Sequence, residues 1–126
     1  MSLLLDTNVV LFAGSDPARL GRLAELILTE EVVLSPVVTW EIAIKVSHGR
    51  LDLHTAPATY VEQARVATRA RWLPISNQHA GGVAELPWHH RDPFDRLLVA
   101  TAQVEGLGLA TTDEKLGEYD VEVLLP

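Results

Sequence analysis

A three-layer α/β/α domain with a central, mainly parallel sheet is the fold predicted by three features of the sequence. Short apolar runs alternate with segments of helical period along the whole chain. The first run, Leu3 to Phe12, reads LLLDTNVVLF, in which apolar residues enclose Asp6, Thr7 and Asn8 with no glycine or proline to mark a surface turn. A length of 126 residues, 48% of them hydrophobic, suits one compact domain spanning 1–126 with a substantial core.

The leucines of the opening run fit a parallel-sheet strand buried on both faces. Ligands of open α/β sheets gather beyond the carboxyl ends of the strands, so Asp6 is a candidate for chemistry. An aspartate at a strand end also serves as an ordinary cap or turn residue. Gly14 to Pro17 read as a connection. From Ala18 to Thr29, Leu20, Leu23, Ala24, Ile27 and Leu28 recur at helical spacing, which predicts a helix laying one face on the sheet.

Val32 to Leu34 form the second strand candidate. Ser35-Pro36 then supplies a cap followed by proline at the first helical position, and the helix is expected to run to about Ser47. Its apolar residues occupy much of the circumference. Within it Glu41 precedes Lys45 by one turn, a pair that in solvent is worth only about a few tenths of a kcal/mol. A solvated ion pair is the simpler reading; on a buried face, the carboxylate would need a cation or a hydrogen-bonding partner to remain ionised.

His48 to Leu53 lead into a connector, and another helix begins near Ala56-Pro57. Arg65, Arg69 and Arg71 make the densest basic run and read as helix surface. Arg71 to Ile75 suggest a short strand that Pro74 places at an edge. Ser76 opens a further helix carrying His79, which lacks a metal-ligand pattern and reads as structural or solvent-facing.

The segment from Trp88 to Arg96 has the strongest local grammar. Asp92 can cap the next helix, Pro93 can take its first position, and Asp95 falls three residues after the cap, where an acid can complete a capping box. The helix then runs through Val104 and stops near Gly106. His89 and His90 do not form a zinc-type pair one turn apart; with Arg91 and Arg96 they are candidate substrate contacts at the rim of a cleft. Leu107 to Thr111 form the next strand candidate, Asp113 can cap a short turn ended by Gly117, and Val121 to Leu124 read as the last strand.

A net charge of -7, from 17 acids against 10 Lys and Arg, argues against binding nucleic acid through a basic face. It leaves room for a nuclease whose carboxylates recruit divalent cations. The absence of cysteine excludes disulfides and thiolate metal sites. There is no basic region followed by an apolar run and a cleavage site, and no membrane-length apolar stretch, so a cytoplasmic protein without a membrane partner is expected.

If the strands are parallel, Asp6, Glu41, Asp95 and Asp113 can gather at one edge of the sheet. Such a cluster suits a hard cation with oxygen ligands, magnesium or manganese above all. The chain here resembles the PIN-domain family of metal-dependent nucleases, and in particular the VapC-type ribonuclease toxins of VapBC toxin-antitoxin systems. The resemblance rests on LLLDTNVVLF, on Trp40 to Lys45, on HHRDPFDRLLVATAQ from His89 to Gln103 and on TTDEKLGEY from Thr111 to Tyr119.

That resemblance implies an acidic pocket with Asp6 and Asp95 as direct metal ligands, Glu41 as a direct or water-mediated ligand, and Asp113 as a further ligand or water organiser. It implies supporting roles for Thr7 and Thr111, with Asn8 where many relatives carry histidine or asparagine, and it makes Asp92 a cap. Implied with these are hydrolysis of RNA with one or two Mg2+ or Mn2+ ions, a cognate VapB-like antitoxin, and a homodimer within a larger assembly. A catalytically weak PIN-like interaction module and a non-toxin RNA-processing PIN nuclease are the alternatives.

Overall fold

The structure, a computed structural model, describes residues 1–126. Its centre is a five-stranded sheet, every pairing parallel, in the order β3-β2-β1-β4-β5. In chain order these are β1 (Ser2–Leu5), β2 (Glu31–Leu34), β3 (Arg71–Trp72), β4 (Gly108–Ala110) and β5 (Val123–Leu124). The helices are α1 (Thr7–Ser15), α2 (Leu23–Thr29), α3 (Pro36–Ser47), α4 (Pro57–Thr68), α5 (Asn77–Gly82) and α6 (Pro93–Glu105). None of them is long and apolar enough to cross a membrane.

Strand β1 is central and flanked on both sides, which accounts for its three successive buried leucines. Leu3 and Leu5 point into one apolar layer with Val9 and Val10 of α1, Leu23 and Ile27 of α2, Ile42 of α3 and Val61 of α4. Leu4 points the other way, into a layer built with Val33, Leu109 and the α6 residues Leu98, Val99 and Ala102. Helix α3 contributes to both layers, Val38 and Ile42 to the first and Val37 to the second, which explains why apolar residues surround so much of it.

The opening run is not one strand. Asp6 is extended and caps α1 by accepting a hydrogen bond from the Thr7 amide, so Val9 to Phe12 are helical. The enclosed polar residues are the strand-to-helix junction itself. The expected helix from Ala18 to Thr29 is likewise divided into a 3-10 turn, Pro17–Leu20, and α2. Gly21 separates them with φ of +51°, and a Cβ there would stand 3.0 Å from the backbone carbonyl carbon of Pro126. Beside it the Arg22 Nε donates to the Leu125 carbonyl at 2.9 Å, which anchors the end of the chain.

Strand β3 is an edge strand as expected but covers only Arg71 and Trp72. Leu73 still donates to the Leu34 carbonyl at 2.8 Å, and Pro74, lacking an N–H, cannot extend the ladder. The last strand is shorter than expected as well, beginning at Val123. Gly117 lies inside the 3-10 turn Glu114–Glu118 rather than ending it.

His79 is fully buried. Its Nδ1 accepts from the Ser76 amide at 3.0 Å while Ser76 Oγ accepts from the His79 amide at 3.1 Å, and its Nε2 meets Glu105 Oε1 at 2.8 Å. These bonds tie the start of α5 to the end of α6, a structural role within the second layer.

Candidate metal centre

The parallel register brings the first acid to its partner. Leu5 pairs with Ala110, and one step on the Asp6 amide donates to the Ala110 carbonyl at 2.9 Å. Asp6 and Thr111 are therefore neighbours just beyond the strand ends. Thr111 Oγ1 donates to Asp6 Oδ2 at 2.6 Å, and Asp6 Oδ1 accepts from the Thr7 amide at 2.7 Å. Burial pushes the Asp6 carboxyl above its usual range, while these two hydrogen bonds pull the other way.

Thr7 links the first acid to the second. Its Oγ1 donates to Glu41 Oε1 at 2.7 Å, and Lys45 Nζ stands 2.8 Å from Glu41 Oε2. Glu41 is only 5% exposed, so the solvated reading of this pair is wrong. The buried carboxylate has both of the partners that burial demands: a cation and a hydroxyl. Local spacing was ambiguous because it gives the pair the same i,i+4 geometry on a wet or a dry face.

Asp113 reaches the group through Thr111 as well. The Asp113 amide donates to Thr111 Oγ1 at 3.0 Å, Asp113 Oδ1 caps the following 3-10 turn through the Lys115 amide at 3.0 Å, and Oδ2 meets His90 Nε2 at 3.0 Å. The Thr111 hydroxyl thus gives its one proton to Asp6 and accepts from the Asp113 backbone.

Asp95 enters from the first turn of α6. The capping work there is done by Asp92, whose Oδ1 accepts from the Phe94 and Asp95 amides at 2.8 and 3.1 Å. No capping box forms: the Asp95 carboxylate turns away toward the other acids, with His90 Nε2 3.6 Å from its Oδ2. Burial and then the charges of Asp6, Asp92, Glu41 and Asp113 push the Asp95 carboxyl up to about 8.

The other residues singled out in the sequence divide between exposed and buried positions. Asn8 and Arg91 are exposed. His89 is exposed, packs edge-on against Tyr119 and has its Nδ1 3.5 Å from Glu118 Oε2. Arg96, expected as a candidate substrate contact, is 3% exposed and inaccessible to a phosphate. Its guanidinium donates to the carbonyls of Pro87, Val83 and Leu86 at 2.8, 3.2 and 3.3 Å and to the Tyr119 hydroxyl at 3.2 Å, with the Trp88 ring over it. One turn after Asp92, an arginine in a sequence looks the same whether it faces solvent or binds the loop that folds back over it.

A divalent cation fits this donor set. Asp95 and Asp113, with His90, have candidate ligand atoms within 4.8 Å of one another, the charges of Asp6 and Glu41 act on Asp95, and Lys45 is the one basic side chain bonded to any of the four acids apart from His90. Burial and the repulsion of the neighbouring acids disfavour the charged form of Asp95, which is the condition a bound cation would relieve. The donors are carboxylate oxygens, matching hard cations of the magnesium or manganese class. Asp6 and Glu41 are buried, while the Asp95 and Asp113 side chains are partly exposed.

Comparison with known proteins agrees with this architecture. The family model described as PIN domain matches residues 3–122. The chain is 28% identical over 121 residues to ribonuclease VapC22 of Mycobacterium tuberculosis (strain ATCC 25618 / H37Rv), covering 94% of this chain and 92% of the relative. Among solved structures, VapBC2 from Rickettsia felis bound to a DNA fragment from their promoter superposes with a TM-score of 0.75 at 18% identity, covering 99% and 98% of the two chains. A toxin-antitoxin complex from Klebsiella pneumoniae gives a TM-score of 0.68 at 20% identity, covering 98% and 97%.

Proposed function

The chain belongs to the PIN-domain family, and from that premise we propose that it is a VapC-type toxin, a metal-dependent endoribonuclease neutralised by a cognate VapB-like antitoxin. The observation that carries this reading is the grouping of acids around Asp95, whose carboxyl is raised by burial and by the charges of Asp6, Glu41 and Asp113. Its similarity to ribonuclease VapC22 supports RNA as the substrate. The whole of 1–126 acts as one nuclease domain in this reading, in the cytoplasm.

Asp6 and Asp95 hold Mg2+ or Mn2+, one ion or two, with Glu41 bound directly or through water and Asp113 as a further ligand or an organiser of water. The bound cation supplies Lewis acidity toward a phosphate oxygen and toward the attacking water. Thr111 and Thr7 orient the Asp6 and Glu41 carboxylates through the bonds described, so their oxygens need no reorganisation when substrate arrives. Lys45 Nζ, 2.8 Å from Glu41 Oε2, helps to fix that carboxylate. At the rim, Arg91 and His89 offer exposed donors to the RNA backbone.

The net charge of -7 favours a basic inhibitory segment over the acids. A cavity of about 720 Å3, lined by the apolar Leu11, Phe12, Leu51, Leu53 and Tyr60 and by polar groups including Asp52, His54 and Gln63, offers a seat for an amphipathic segment of such an antitoxin. A homodimer within a larger toxin-antitoxin assembly belongs to the same proposal.

The test compares purified wild type with Asp6→Asn and Asp95→Asn on structured RNA, with Mg2+ or Mn2+ and with EDTA, folding being checked by circular dichroism. Metal-dependent cleavage by the wild type and its near loss in both variants is expected. Equal cleavage by all three proteins would refute the site. A folded wild type without cleavage in either metal would favour a PIN-like interaction module.

A further inference from the structure

His90 stands among the acids, but its hydrogen bonds give it a task other than binding metal. Its Nδ1 accepts from the Asp92 amide at 3.1 Å, while its Nε2 lies 3.0 Å from Asp113 Oδ2 and 3.6 Å from Asp95 Oδ2. A nitrogen that accepts from an N–H has its lone pair committed, so the ring hydrogen sits on Nε2 and points at the two carboxylates. By distance alone, His90, Asp95 and Asp113 could be three ligands of one ion, since their candidate ligand atoms lie within 4.8 Å of one another. A ligating nitrogen must present a lone pair, and here the available one faces Asp92 instead.

The ring is also registered to its surroundings. The His90 amide donates to the Tyr119 hydroxyl at 2.9 Å, and that hydroxyl accepts from Arg96 Nη1 at 3.2 Å. Asp92, whose amide holds Nδ1, is the residue that caps α6, the helix carrying Asp95. The ring is therefore tied at one nitrogen to the helix that delivers Asp95 and at the other to Asp113, on a different element.

We infer that His90 is a positioning residue: its Nε2–H holds the Asp113 carboxylate at a set distance from Asp95, and it does not ligate the cation. The part of this inference that concerns metal rests on the acid-pocket reading above. The tautomer and the bond to Asp113 do not.

Two measurements test it. In the metal-free wild type, long-range 15N–1H correlation should show the His90 ring hydrogen on Nε2 and none on Nδ1; a hydrogen on Nδ1 would overturn the inference. Calorimetric titration with Mn2+ should show binding weakened roughly 10-fold or more in His90→Asn, which keeps an acceptor near Nδ1 but has no donor at Nε2. His90→Gln, whose amide nitrogen reaches about as far as Nε2, should recover part of that loss. Binding by His90→Asn equal to wild type, glutamine no better than asparagine, or a directly bonded histidine nitrogen in pulsed EPR of the Mn2+ complex would each overturn it. Asp95→Asn in the same titration separates the two readings: wild-type Mn2+ affinity there refutes the acid pocket, while the tautomer measurement still decides the His90 bond.

Discussion

Thr111 Oγ1 lies 2.6 Å from Asp6 Oδ2 although the two residues are 105 positions apart in the chain. Both follow the last paired residues of adjacent parallel strands, so the sheet register makes the contact. One buried hydroxyl joins two candidate ligands, since it also accepts from the Asp113 amide.

Replacing Thr111 by valine removes that hydroxyl at nearly constant volume. The buried Asp6 oxygen and the Asp113 amide both lose a partner, for an expected cost of about 1–3 kcal/mol in urea unfolding. Cleavage should fall roughly 10- to 100-fold. Thr111→Ser, which keeps the hydroxyl, should recover most of the activity.

Asp95→Asn should separate activity from stability. The substitution removes a charge disfavoured by burial and by the neighbouring acids, so the metal-free variant at pH 8 should be more stable than wild type by roughly 1 kcal/mol. RNA cleavage in Mg2+ should nevertheless fall by about 100-fold or more. Thermal unfolding in EDTA and an RNA cleavage assay check the two halves.

The raised Asp95 carboxyl sets a direction for the pH dependence of stability. Its ordinary value is 3.8 and its folded value about 8, so between these the folded protein holds more protons than the unfolded chain. The contribution to stability is full below the lower value and is lost as pH rises through the upper one. The upward shift of Asp6 acts in the same direction. In EDTA the melting temperature should therefore include a component that declines from about pH 5 to about pH 8, and added Mn2+ should offset it most at the alkaline end.

Lys45→Met leaves the buried Glu41 carboxylate without its cation. With Lys45 itself partly exposed, the expected cost is about 1–2 kcal/mol, less than for a fully buried pair. A double-mutant cycle with Glu41→Gln should return a coupling energy of roughly 0.5–2 kcal/mol. No coupling would mean that solvent screens the pair.

Arg96→Lys tests the reassignment of this residue from substrate contact to scaffold. A lysine cannot reproduce the fork that binds the Pro87, Val83 and Leu86 carbonyls, so a loss of about 2 kcal/mol or more is expected. Trp88 fluorescence should change as well, because its ring packs over the guanidinium. Unchanged stability and fluorescence with weaker RNA binding would restore the substrate role.

Much of this molecule was legible from its residues. Alternating apolar runs and helical periods gave the layered parallel sheet, Pro36 and Pro93 gave the starts of α3 and α6, and Gly106, with φ of +67°, gave the end of the latter. These signals are local: they depend on backbone preference and on the side chain a few positions away. The chain also pointed to four acids by type and position, and through them to a family.

Tertiary structure decided how each of those acids is held. Sequence could not show whether Glu41 and Lys45 face water, because helical spacing is blind to what packs against the helix; the answer came from Thr7, 34 positions earlier. Nor could it distinguish Arg96 on the surface from Arg96 under a folded-back loop, or His90 as a rim contact from His90 with Nδ1 committed to the Asp92 amide. Burial and long-range hydrogen bonds set the charge and orientation of a polar group, and both exist only once distant segments have met.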